Sequence, residues 1–213
     1  MRLLKDILQA LYPFGTFRTG KAVYLTFDDG PIPEVTPKVL AILAKYDVKA
    51  TFFMVGENID KYPEVYEQVV RAGHCVGNHT YNHLKGWCTR TDEYMSNVAQ
   101  CQKALFVHHP SVIIPTLFRP PYGKATLCQR IALRHEGFHI IYWDILTRDY
   151  DASVTPEAML RQIQRETRLG SIINFHDSLK SNERMLEVLP KAIEWLQAQG
   201  FALEVLEKQN AFT

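Results

Sequence analysis

Short apolar segments rich in β-formers alternate with helix-patterned segments along almost the whole chain, with few residues between them. This alternation constrains the fold more than any single motif, because strands joined through intervening helices lie parallel in one sheet. Ala22–Phe27, Ala50–Val55, His74–Gly77, Thr116–Arg119, His139–Trp143, Ser171–Phe175 and Phe201–Val205 read as strands. Pro37–Tyr46, Pro63–Ala72, Asp92–Phe106, Ala125–Glu136, Pro156–Arg168 and Glu183–Gln199 read as helices. Thr36 and Pro37 open the first of these, and Gly73, Gly137 and Gly200 stop three others. The expected fold class is α/β, with a closed or nearly closed barrel first and an open doubly wound sheet second. At 213 residues the chain is short for eight β/α units, so a distorted (β/α) barrel of about seven parallel strands fits best.

Bulk properties narrow the function. With 46% hydrophobic residues the chain can bury the core of a single domain, expected over 21–213. Lys plus Arg is 24 against 23 for Asp plus Glu, a balance that offers no footprint for nucleic acid or an anionic membrane. Residues 1–20 read as an extension carrying a short amphipathic helix, with Leu4, Ile7, Leu8 and Leu11 on one face. Lys5 and Asp6 interrupt any signal-peptide core, which points to a cytoplasmic protein, or an extracytoplasmic one if a leader is missing. No apolar run approaches the length of a membrane span. Cys75, Cys88, Cys101 and Cys128 form no Cys-x-x-Cys pair and read as isolated thiols. A monomer is favoured.

Chemistry-bearing residues gather at the predicted strand ends. The first strand runs into Asp28-Asp29-Gly30-Pro31, where adjacent carboxylates point in different directions and can hold two jobs. Alone, such a sequence is more often a solvated turn. His79-Thr-Tyr-Asn-His83 places two imidazoles four apart, a spacing that puts both on one face of a helical turn. Alone, paired histidines are more often structural. Joined by a carboxylate from elsewhere, they make a two-His, one-carboxylate set suited to Zn²⁺ or another divalent transition metal. Phe118-Arg-Pro-Pro-Tyr-Gly123, Trp143-Asp-Ile-Leu-Thr-Arg-Asp-Tyr150 and Ile172-Ile-Asn-Phe-His-Asp177 follow later strands. In a parallel barrel all these ends open on one face, so Asp28, Asp29, His79, His83, Arg119, Asp149 and His176 would converge.

With these motifs in order, the chain resembles the polysaccharide deacetylase family with the NodB homology domain (carbohydrate esterase family 4), from about Lys21 to Val205. The five matching segments are Thr26-Phe-Asp-Asp-Gly-Pro31, His79-Thr-Tyr-Asn-His83, Arg119-Pro-Pro-Tyr-Gly123, Asp149-Tyr150 and the segment ending in His176. The resemblance implies that Asp29, His79 and His83 bind one divalent metal, Zn²⁺ first, with Co²⁺, Ni²⁺ or Mn²⁺ as alternatives. It implies Asp28 as general base held by Arg119, and His176 as general acid oriented by Asp149. The backbone N–H of Tyr122 would face the oxyanion. The implied substrate is an N-acetylated glycan, losing acetate to leave a free amino sugar. An O-acetyl ester, a cyclic amide, or carbohydrate binding without turnover are the competing expectations.

Two positions depart from the family pattern. Tyr150 stands where the family usually has Trp, and Asn174 where it usually has Leu. The resemblance places both in the wall of the acetyl pocket, which would then be more polar. Trp87 and Tyr122 are candidate stacking surfaces for a sugar. His108 and His109 read as loop residues, and His135 and His139 as capping or packing residues. His74 is not expected to be a ligand. Tyr24, Phe27, Phe52, Phe53 and Phe175 read as core.

Overall fold

The computed structural model describes residues 22–108 and 116–206, and the expected helix within 1–20 and His109 lie outside the described residues. Among the described residues, eight strands carry the sheet: β1 (Ala22–Asp28), β2 (Thr51–Met54), β3 (Cys75–Asn78), β4 (Leu117–Phe118), β5 (His139–Ile140), β6 (Ile145–Leu146), β7 (Ile172–His176) and β8 (Ala202–Leu203). Seven described α-helices pack against it: α1 (Thr36–Lys45), α2 (Gly56–Lys61), α3 (Pro63–Arg71), α4 (Thr91–His108), α5 (Leu127–His135), α6 (Pro156–Glu166) and α7 (Asn182–Ala198). All ladders are parallel, in the order β5-β4-β3-β2-β1-β7-β6, while β8 pairs with Ala22 and Val23 at the start of β1. The seven strands of the main path curl into a distorted barrel. Its seam lies between β5 and β6, which share no ladder among the described strands.

Side-chain alternation along the strands separates two apolar layers. Val23, Leu25 and Phe27 of β1, with Phe52 of β2 and Ile173 and Phe175 of β7, pack against α1, α6 and α7 on the outside. Tyr24, Phe53, Leu117, Ile141 and Ile172 form a smaller cluster that fills the lower lumen. Above it the same inward column turns polar, through Thr26 and Asp28 on β1 and Asn174 and His176 on β7. Register pairs Thr26 with Asn174 and Asp28 with His176.

Several boundaries differ from expectation. The strand expected over His139–Trp143 stops at Ile140, and β6, two residues in a polar stretch too short to show any periodicity, was not expected. β8 lies off the main path, so the seventh strand of that path is β6. Thr36 does not cap α1. Its hydroxyl donates to Asp177 Oδ2 at 2.6 Å and accepts from the Ile32 N–H at 2.8 Å. Thr126 does cap α5, in a capping box with Gln129. α4 runs to His108, which therefore ends a helix rather than sitting in a loop, and pairs with Asp60 at 2.9 Å. His74 accepts from the Ala50 N–H at 3.2 Å and packs edge-on against Phe52, away from the histidine pair.

Phe27 stacks between Phe52 and Phe175, with centroids 4.9 Å and 5.7 Å away. Phe27→Ala is expected to lower unfolding free energy by about 3–5 kcal/mol, read from chemical denaturation.

Candidate active site

The carboxyl end of the barrel carries a cleft of about 730 Å³, lined by Asp28, Asp29, His79, His83, Tyr122, Tyr150 and His176. Of the expected site residues, only Arg119, Asp149 and Asn174 do not line it. These three are fully buried beneath it.

Local backbone aims the groups that face the cleft. Asp29 follows β1 with φ 85°, and its carbonyl accepts from Asn58 Nδ2 at 2.8 Å. Gly30 has no room for a Cβ, which would stand 2.1 Å from Asp177 Oδ2, and its N–H donates to Asp177 Oδ1 at 3.0 Å. Burial pushes Asp177 up to about 8, against the opposing hydrogen bond from Thr36. The histidine pair does not lie on a helical turn as its spacing suggested. His79–His83 is a loop with left-handed backbone at Thr80 (φ 63°) and His83 (φ 53°). Asn97 Oδ1 holds it by accepting from the N–H groups of Tyr81 and Asn82 at 2.7 Å and 3.1 Å. Tyr122 is also left-handed (φ 60°), so unfavourable backbone is concentrated around the cleft.

Asp29, His79 and His83 form a group whose ligand atoms all lie within 4.8 Å of one another, the only such group of three among the described residues. Asp29 Oδ1 is buried without a hydrogen-bond partner, 3.6 Å from His79 Nε2 and 3.2 Å from His83 Nε2. His79 Nδ1 lies 2.7 Å from the Arg119 carbonyl, to which it donates, leaving Nε2 as the lone-pair nitrogen. Burial lowers His79 to about 4, so the ring is neutral at pH 7. Burial alone would raise Asp29, but the His83, His176 and His79 rings draw it well below the ordinary carboxylate range. A bare carboxylate oxygen facing two imidazole nitrogens fits a divalent metal.

Behind the triad, Arg119 Nη1 donates to Asp28 Oδ1 at 2.7 Å, Thr26 Oγ1 at 2.8 Å and Asn174 Oδ1 at 2.6 Å. Its Nε and Nη2 reach the carbonyls of Ile141 and Tyr142, each at 3.3 Å, and its guanidinium lies 4.1 Å from the Phe53 ring centroid. Asn174 is therefore not part of the pocket wall, as the resemblance suggested. Inward alternation on β7 carries it into the polar core, where its Nδ2 donates to Asp28 Oδ2 at 2.9 Å. On the far side, Asp149 accepts from His176 twice, from the backbone N–H and from Nδ1, each at 2.8 Å. Burial would lower His176, but Asp149, Asp28 and Asp29 together raise it to about 9. Tyr150 sets its ring perpendicular to the His176 ring at 5.0 Å.

The model of the family described as polysaccharide deacetylase matches residues 17–141. The chain belongs to the polysaccharide deacetylase family. A peptidoglycan-N-acetylglucosamine deacetylase of Bacillus cereus is 33% identical over 190 residues, 89% of this chain and 68% of that protein. A chitooligosaccharide deacetylase of Azorhizobium caulinodans is 32% identical over 203 residues, 87% of this chain and 92% of that one. The crystal structure of the Bc1960 peptidoglycan N-acetylglucosamine deacetylase with a hydroxamate superposes with a TM-score of 0.83 at 31% identity, covering 89% of this chain and 87% of that one.

Sequence reasoning missed part of this polysaccharide deacetylase cleft. Trp143 and Leu179 also line it from loops, with Leu146 from β6 and Glu57 from the start of α2, and no local pattern announces their approach. Gly123 (φ 65°) was a readable signal for Trp143, since a Cβ there would stand 2.6 Å from the indole. Trp87 is exposed with its ring 5.4 Å from that of Tyr122, as a stacking surface requires. Asp149→Asn is expected to bring the His176 pKa down from about 9, followed by NMR titration of the ring. An unchanged titration would mean that Asp149 does not hold the proton.

Proposed function

We propose that the protein is a metal-dependent N-deacetylase that hydrolyses the acetamido group of an N-acetylated amino sugar within a glycan. The observation that carries this reading is the pairing of Asp28 and His176 at adjacent strand ends, beside the Asp29, His79 and His83 triad. Relatives named for peptidoglycan and chitooligosaccharide deacetylation support the substrate class.

Asp29, His79 and His83 would hold the ion. When bound, a divalent metal such as Zn²⁺ supplies Lewis acidity that polarises a carbonyl and acidifies a water. Asp28 takes a proton from the attacking water as its oxygen bonds to the acetyl carbon, and the hydrogen bond from Arg119 holds the carboxylate in place for that task. The Tyr122 N–H faces the acetyl oxygen as negative charge grows on it. His176, kept protonated by Asp149, passes its proton to the amide nitrogen as the C–N bond breaks. The products are acetate and a free amine. Tyr150 and Trp143 line the walls that exclude bulk water.

The Zn²⁺- or Co²⁺-loaded protein is expected to release acetate from N-acetylated chitooligosaccharides or peptidoglycan fragments. Asp28→Asn should abolish that release while still binding one metal ion, measured by calorimetric titration. Because the acid must be protonated, the rate should fall as pH rises through about 9. Acetate from acetylxylan and none from any N-acetylated sugar would overturn the reading.

A further inference from the structure

Asn174 is fully buried on β7, in register with Thr26 of β1 and two residues before His176. Its Oδ1 meets Arg119 Nη1 at 2.6 Å and the Thr26 hydroxyl at 3.0 Å. Arginine only donates, so the amide cannot turn over without setting its NH₂ against the guanidinium. With Oδ1 committed, Nδ2 has one orientation, toward Asp28 Oδ2 at 2.9 Å.

That contact reaches the oxygen that Arg119 does not. Arg119 holds Oδ1 through a single nitrogen, and one bond leaves a carboxylate free to swing, since the terminal torsion of aspartate has a broad, shallow profile. A second bond at Oδ2 removes that freedom. We propose that Asn174 is a positioning residue: its amide fixes the rotation of the Asp28 carboxylate and so sets which lone pair faces the cleft. This rests on Asp28 being the general base. A leucine, usual here in the family, would continue the apolar filling of the lumen but leave Oδ2 without this donor. Thr26 belongs to the same device, because its hydroxyl shares Asn174 Oδ1 and also bonds the Ile173 carbonyl at 3.0 Å.

The test compares Asn174→Leu, Thr26→Val and the double variant, metal-loaded, on an N-acetylated chitooligosaccharide. For Asn174→Leu, kcat should fall roughly tenfold, as a misoriented base costs rate more than binding. KM and Zn²⁺ affinity by calorimetric titration should stay at wild-type values, while the melting temperature falls modestly through the acceptor lost to Arg119. Thr26→Val should give a smaller loss in the same direction, and the double variant should be no worse than Asn174→Leu alone. A wild-type or raised kcat in Asn174→Leu, or additive losses, would overturn the proposal. Crystal structures supply a readout independent of turnover. Asp28 should rotate or split between two orientations in Asn174→Leu, and a wild-type orientation would sink the idea. Absence of acetate from the wild-type protein would count against the deacetylase reading alone, leaving the structural comparison in force. If Asn174→Leu does not fold, Thr26→Val carries both measurements.

Discussion

A guanidinium with no access to solvent sits in the middle of this barrel, and much of the site is arranged to make that burial tolerable. An unpaired charge in such a place is prohibitively costly, and its partners must be supplied from the strands around it. Asp28 comes from β1, Asn174 from β7, and the Ile141 and Tyr142 carbonyls from the chain just after β5. The Phe53 ring adds a cation–π face from β2. Arg119 therefore ties β1 and β7 to the chain that follows β5. Removing either member of the Arg119–Asp28 pair would strand the other, a cost of about 3–5 kcal/mol in comparable buried pairs. Its backbone carbonyl also sets the His79 tautomer, so one residue orients both the Asp28 carboxylate and the His79 nitrogen that faces Asp29.

The lumen is graded along its axis. Tyr24, Phe53, Leu117, Ile141 and Ile172 make an apolar floor, Thr26, Asn174 and Arg119 a hydrogen-bonded middle, and Asp28, Asp29 and His176 a charged mouth. Water that could solvate the charged layer from below is displaced by the floor, which strengthens every interaction above it. Asp149 and Asp28 act in the same direction across one opening, since both favour the protonated His176 ring.

Much of this was legible before any coordinates, and the parts that were not share a cause. The β1, β2 and β7 strands announce themselves through runs of β-formers, and the five motifs fall at strand ends where a parallel barrel must place them. Two-residue strands such as β6 carry no period, so the number of strands could be read but not which segment supplied the last. The spacing of His79 and His83 suggested a helical turn, whereas a left-handed loop tied to Asn97 brings the rings together. Spacing reports separation along the chain, and several backbones satisfy it. Asn174 was expected in the pocket wall because the family resemblance places that position there. Alternation along β7, combined with the buried arginine opposite, sends it inward instead.

The split between the two faces of β1 has a consequence for how the chain can change over time. Val23, Leu25 and Phe27 face the helix layer, while Tyr24, Thr26 and Asp28 face the lumen. Substitution on the helix side can drift under selection for solubility or thermal tolerance without disturbing a single donor or acceptor around Arg119. Substitution on the other side cannot be made one position at a time without cost, because the polar groups there share partners around Arg119. The pleat thus decides, residue by residue, which side chains of one strand are tied to the site and which are not.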